Sequence, residues 1–135
     1  MQLHEFKINP FSVILFRIML SGIFIIAGIN HLTQASKVVM RIENARFGII
    51  GSIFGDPIIA VYLSGVVMLL AAVVFLLGFK TRWMAWILLL VLITITLTIQ
   101  VGSAQTLGPL FKNIAIAGGL LFFIFNDMQR KHVAV

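Results

Sequence analysis

The stretch FSVILFRIMLSGIFIIAGINHL, running from Phe11 to Leu32, decides the fold. Its roughly 22 residues extend about 33 Å as an α-helix, which matches the hydrocarbon core of a bilayer. Lys7 and Pro10 precede it and Arg17 is the one charge within it. A basic residue ahead of an apolar run also marks a secretory leader. This run is longer than a leader's apolar segment and no small-x-small cleavage site follows it, so it reads as a retained helix.

Three more runs of comparable length follow, over 57–79, 83–101 and 107–126. The third contains Thr94, Thr96 and Thr98 alternating with aliphatic residues, a period-two pattern that reads as a strand in a soluble protein. In lipid an unpaired strand leaves its backbone groups unsatisfied at several kcal/mol each, so the helical reading prevails. With 61% hydrophobic and only 10% charged residues, the chain carries far more apolar surface than one soluble core of 135 residues buries. The fold class is therefore all-α: a transmembrane four-helix bundle, expected as one domain over residues 1–135.

The cations fall mostly at the ends of the apolar runs. Lys7, Lys80, Arg82, Arg130 and Lys131 share one side of the membrane, and Lys37, Arg41 and Arg46 lie in the first loop on the other. The positive-inside rule then places both termini in the cytoplasm. Trp83 and Trp86 directly follow Arg82, where an aromatic belt anchors the same edge. The net charge of +6 does not imply nucleic-acid binding, because the sequence offers no solvated basic face to meet phosphates. The lipid bilayer is the partner that this charge pattern fits.

The first outer loop, Thr33 to Asp56, is the long connection. From Ser36, read as an N-cap, Val38, Ile42, Ala45 and Ile49 recur at helical spacing while Lys37, Arg41 and Asn44 face elsewhere. This predicts an amphipathic helix lying on the membrane. The next stretch, Phe47 to Phe54, is apolar but broken by Gly48 and Gly51, which suits a re-entrant segment or a cap over the helix ends.

Few residues carry chemistry. Arg17 lies about 9 Å along the first helix, within reach of the cytoplasmic head groups by snorkelling and equally placed to face the bundle and bind a partner, a quinone oxygen or a lipid phosphate. At the opposite ends of the helices, Asn30 and His31 close the first, Asp56 precedes the second, Gln100 ends the third, and Lys112 and Asn113 begin the fourth. These six mark a candidate polar pocket at one leaflet boundary. His31 has no acidic residue three or four positions away to build a bundle-type metal motif, and there are no cysteines, so no metal or haem site is expected. Ser12, Ser21, Ser64, Thr94 and Thr98 stand in no recognisable nucleophile motif, so no catalytic residue is assigned. Gly22 with Gly28, Gly65 with Ala72, and Ala115 with Gly119 place small side chains at helical spacing, as close helix packing requires.

With the elements in place, three segments carry a family resemblance. The first helix has Arg17, Gly22 and the run Gly28-Ile29-Asn30-His31-Leu32. The second has Pro57, Tyr62-Leu63-Ser64-Gly65 and the junction Gly78-Phe79-Lys80-Thr81-Arg82-Trp83-Met84-Ala85, and the fourth has Lys112-Asn113-Ile114-Ala115-Ile116-Ala117-Gly118-Gly119. In order and spacing the chain resembles the DoxX family of small four-helix membrane proteins. Relatives commonly carry a Glu three residues after the Gly of the Ser-Gly pair, where this chain has Met68. Being one turn beyond Ser64, Met68 is expected to face inward, and its place in the sequence removes the obvious acid to pair with Arg17 or relay protons. The resemblance implies a bacterial cytoplasmic-membrane protein linked with redox systems. It implies an accessory or anchoring subunit with a membrane protein partner or a second copy, without a resident cofactor unless a quinone. An assembly scaffold and a carrier of a small lipophilic molecule are the alternatives.

Overall fold

The computed structural model describes residues 7–49, 53 and 55–126. The first span, α1, runs Pro10–Thr33. Asn9 caps it by accepting the Phe11 N–H at 2.9 Å, and Pro10 occupies the first helical position, where a missing N–H costs nothing. A break at Gln34 leads into the short α2, Ala35–Glu43. The second span, α3, covers Pro57–Leu76 and repeats the entry of α1, with Asp56 accepting from Ile58 N–H at 3.1 Å and Pro57 at the first position.

The expected end of α3 at Phe79 is three residues too late. Gly78 takes φ +77°, its N–H bonds the Phe75 carbonyl at 3.0 Å and the Phe79 N–H reaches back to Val74 at 3.3 Å. This paired pattern is a Schellman stop, which glycine permits without steric penalty. The next helix, α4, spans Thr81–Ile95 and so starts two residues before the expected Trp83. It passes directly into a π-helical turn, Thr96–Gln100. The last span, α5, runs Leu107–Asn126.

The threonines are helical, as the lipid argument requires. Thr94, Thr96 and Thr98 donate to the carbonyls of Leu90, Leu92 and Thr94 at 2.9, 2.6 and 2.7 Å. Each hydroxyl is thereby satisfied within its own helix, so it does not oppose insertion. No β-strand occurs among the described residues.

Four spans are long and apolar enough to cross a membrane, and only 28 to 33% of their most apolar stretches is buried in the bundle. The remaining surface carries side chains such as Met19, Leu70 and Phe111 outward and needs lipid around it. Trp83 and Trp86 are among these exposed residues. The most extensive helix pairing is α1 with α3. There Gly28 and Gly65 bring backbones together: a Cβ on Gly65 would sit 2.9 Å from His31 Cβ and 3.1 Å from the Gly28 carbonyl. Gly119 performs the same service for α1 and α5, facing Phe16 and Leu20. Ala72 is fully buried. Gly22 has open space around it and Ala115 is exposed, so the packing role expected of those two is not theirs.

The short α2 is amphipathic, with two corrections. It starts at Ala35, placing the exposed Ser36 inside the helix rather than at its cap, and it ends at Glu43, leaving Ala45 and Ile49 beyond its buried face. That face consists of Ala35 and Val38 on Val61 of α3, supported by Val39 and Ile42. Of the apolar stretch 47–54, Phe47, Ile49 and Ile53 are exposed, and residues 50–52 and 54 lie outside the described residues.

Candidate functional site

At the α2 end of the bundle, α3 and α4 separate around a cavity of about 360 Å³, within the size range of small-molecule sites. Val38 and Ile42 of α2 roof it, and Pro57, Ala60 and Val61 of α3 form one wall. Leu90, Val91 and Ile95 of α4, with Ile99 of the π turn, form the other. Leu63 and Leu90 also line it while remaining 61% and 60% exposed on the lipid-facing surface. Their position makes the gap between α3 and α4 a sideways mouth toward the bilayer.

The polar lining consists of His31, Ser64, Thr94 and Thr98. His31 comes from α1 and is only 9% exposed. Its Nδ1 lies 2.9 Å from Ser64 Oγ, and the Ser64 hydroxyl donates to the Val61 carbonyl at 2.8 Å. The pair exists because of the glycine crossing. Gly65 neighbours Ser64 and Gly28 lies one turn before His31, so the point of closest backbone approach is also the point where these two side chains meet. Thr98 belongs to the π turn, a form of helix often found beside functional sites because its wider winding re-aims side chains.

The six residues expected at this boundary take different positions. His31 lines the cavity. Asn113 is buried and donates Nδ2–H to Thr96 Oγ1 at 2.9 Å, so it fastens α5 to the π turn. Asp56 is exposed and serves as the cap of α3. Gln100 ends the π turn half-buried; its backbone carbonyl accepts from Thr106 Oγ1 at 2.7 Å, and its Oε1 has no hydrogen-bond partner among the described residues. Asn30 and Lys112 are exposed.

Arg17 belongs to the opposite end. It is 4% exposed and its guanidinium carbon stands 5.7 Å from the centre of the Phe123 ring. It therefore faces the bundle rather than snorkelling outward, over an aromatic face that attracts a cation. Met68 is buried at 1% exposure, so an acid at that position would enter the core. Among the described residues no three His, Cys, Asp or Glu gather where a metal ion would fit.

The DoxX family model matches residues 12–101. The chain belongs to the DoxX family. The match runs from the start of α1 to the exit of the π turn, so it contains every residue lining the cavity. The Lys112–Gly119 run of α5 lies outside it. No curated protein and no solved structure matches the chain.

Sequence reasoning singled out His31 but missed the cavity. Ser64 entered as a serine without a base and, with Leu63, as part of the Tyr62-Leu63-Ser64-Gly65 segment of the resemblance, and Leu90 as an ordinary apolar residue. The available signal was the Ser-Gly pair of α3, whose glycine predicts the crossing that brings a neighbouring polar group to α1.

Proposed function

We propose that this DoxX-family protein is a membrane subunit that holds a lipophilic molecule, of the quinone class that the resemblance implies, for a redox partner protein in the bacterial cytoplasmic membrane. The single observation that supports this is the cavity between α3 and α4: apolar walls, a mouth flanked by lipid-exposed Leu63 and Leu90, and the His31–Ser64 pair in its lining. An apolar molecule with one polar head partitions from the bilayer through that mouth and places its head near His31. Anchoring to a partner uses the rest of the surface, with both termini on the cytoplasmic side as the cation distribution favours.

Leu63→Trp tests the reading. The larger side chain narrows the mouth from an exposed position, so folding is expected to change by no more than about 0.5 kcal/mol. Protein purified from its host in mild detergent is extracted with organic solvent, and the lipophile recovered per mole of protein is measured. About a tenfold loss in Leu63→Trp, with unchanged thermal unfolding, is the expected result. Equal recovery from both proteins would sink the proposal.

A further inference from the structure

The cavity's polar groups share one property that its shape does not reveal. Thr94 gives its hydroxyl hydrogen to the Leu90 carbonyl at 2.9 Å and Thr98 gives its own to the Thr94 carbonyl at 2.7 Å. Ser64 gives its hydrogen to the Val61 carbonyl at 2.8 Å. A hydroxyl has one hydrogen and two lone pairs, so all three present only lone pairs to the cavity. With its hydrogen on Val61, Ser64 Oγ meets His31 Nδ1, at 2.9 Å, as an acceptor. Neutral imidazole carries one N–H; placed on Nδ1 it meets Ser64 Oγ beside the Val61 backbone, which the ring also bonds, and Nε2 is then left as an acceptor.

We infer that the cavity is an acceptor-only site that selects lipophilic molecules bearing a hydroxyl, such as a phenol or the hydroxyl-bearing reduced form of a quinone, over carbonyl or ether analogues of the same size. The inference rests on the ligand-holding reading above and specifies the chemistry of the head group. A hydroxyl donates to His31 Nε2 and completes the chain ligand–His31–Ser64–Val61. A carbonyl or ether oxygen meets other lone pairs and leaves them unpaired in a dry site, which makes the discrimination larger than the gain from one hydrogen bond.

The test uses p-octylphenol and its methyl ether, p-octylanisole, which have nearly equal apolar bodies. Full-length protein with nitrogen-15 histidine is placed in phosphatidylcholine nanodiscs, and each probe is titrated while the imidazole nitrogens are followed by NMR. His31→Phe assigns the His31 signals, since His4 and His132 also contribute. Without a probe, His31 is expected to carry its proton on Nδ1. The phenol should move the Nε2 signal saturably and bind about tenfold more tightly than the ether. That preference should vanish in His31→Phe, which controls for the probes' different partitioning into lipid, and shrink in Ser64→Ala, where Nδ1–H loses its acceptor. Equal binding of both probes, or an Nε2-protonated ring without probe, would overturn the hydroxyl selection while leaving the ligand-holding reading intact. If neither probe binds saturably, both fall together.

Discussion

The two ends of the same four helices are built differently. Near the termini, α3 and α4 meet through Ala71, Ala72 and Ala85, and Phe75 and Phe123 fill the centre in an edge-to-face pair with centroids 5.0 Å apart. At the α2 end the same two helices carry Ala60, Val61 and Ser64 against Leu90, Val91, Thr94 and Ile95, and they stand apart around a cavity. Both ends are apolar. Lipid tails solvate leucine as well as another helix does, so helices in a membrane close only where shapes interlock. Alanines beside aromatic rings interlock in the first region. In the second, residues of α2 and of the π turn line a cavity between the helices instead of filling it.

The largest effect should come from the closed end. Phe123→Ala removes a fully buried ring, together with its contacts to Phe16, Phe75 and Arg17, and should cost about 3 kcal/mol. Denaturant titration in mixed micelles measures this, and a loss under about 1 kcal/mol would mean that the closed end is not interlocked as described. A smaller effect belongs to the boundary between the regions. Gly65→Ala forces α1 and α3 apart at His31 and the Gly28 carbonyl, costing about 1–3 kcal/mol and breaking the His31–Ser64 contact. Gly118→Ala, with nothing within 4 Å of its added methyl, should instead be neutral or stabilising by up to about 1 kcal/mol. Similar destabilisation by both substitutions would remove the crossing from the account. The smallest effect is expected in the open region, where a double-mutant cycle of Thr96→Val and Asn113→Leu should return a coupling of about 0.6 kcal/mol. Zero coupling would show that Asn113 does not fasten the π turn.

Much of the open region was legible only in fragments. Val38 and Ile42 announce an amphipathic helix because helical spacing is a local property, yet the cap at Ser36 failed since the break falls at Gln34 and Ala35 already belongs to the face packed on Val61. The Thr-rich segment gave a correct helix and no hint of its π winding. That winding accompanies a bond from Asn113 and another from Thr106 to Gln100, both contributed from later in the chain. His31 stood out as a histidine at a helix end, but its partner Ser64 lies 33 residues away, and no local pattern links them.

The number, length and helical nature of the spans followed from sequence alone. Bilayer thickness and the need to satisfy every backbone group in lipid act on each segment separately. The Schellman stop at Gly78 did not follow in this way: the apolar run continues to Phe79, and the glycine's positive φ ended the helix before it. Only the tertiary structure turned Arg17 inward, joined His31 to Ser64 and left the space between Leu63 and Leu90, because each depends on how closely two distant segments approach. For α1 and α3 that approach is set by the glycine crossing of Gly28 and Gly65, not by any residue's own preference.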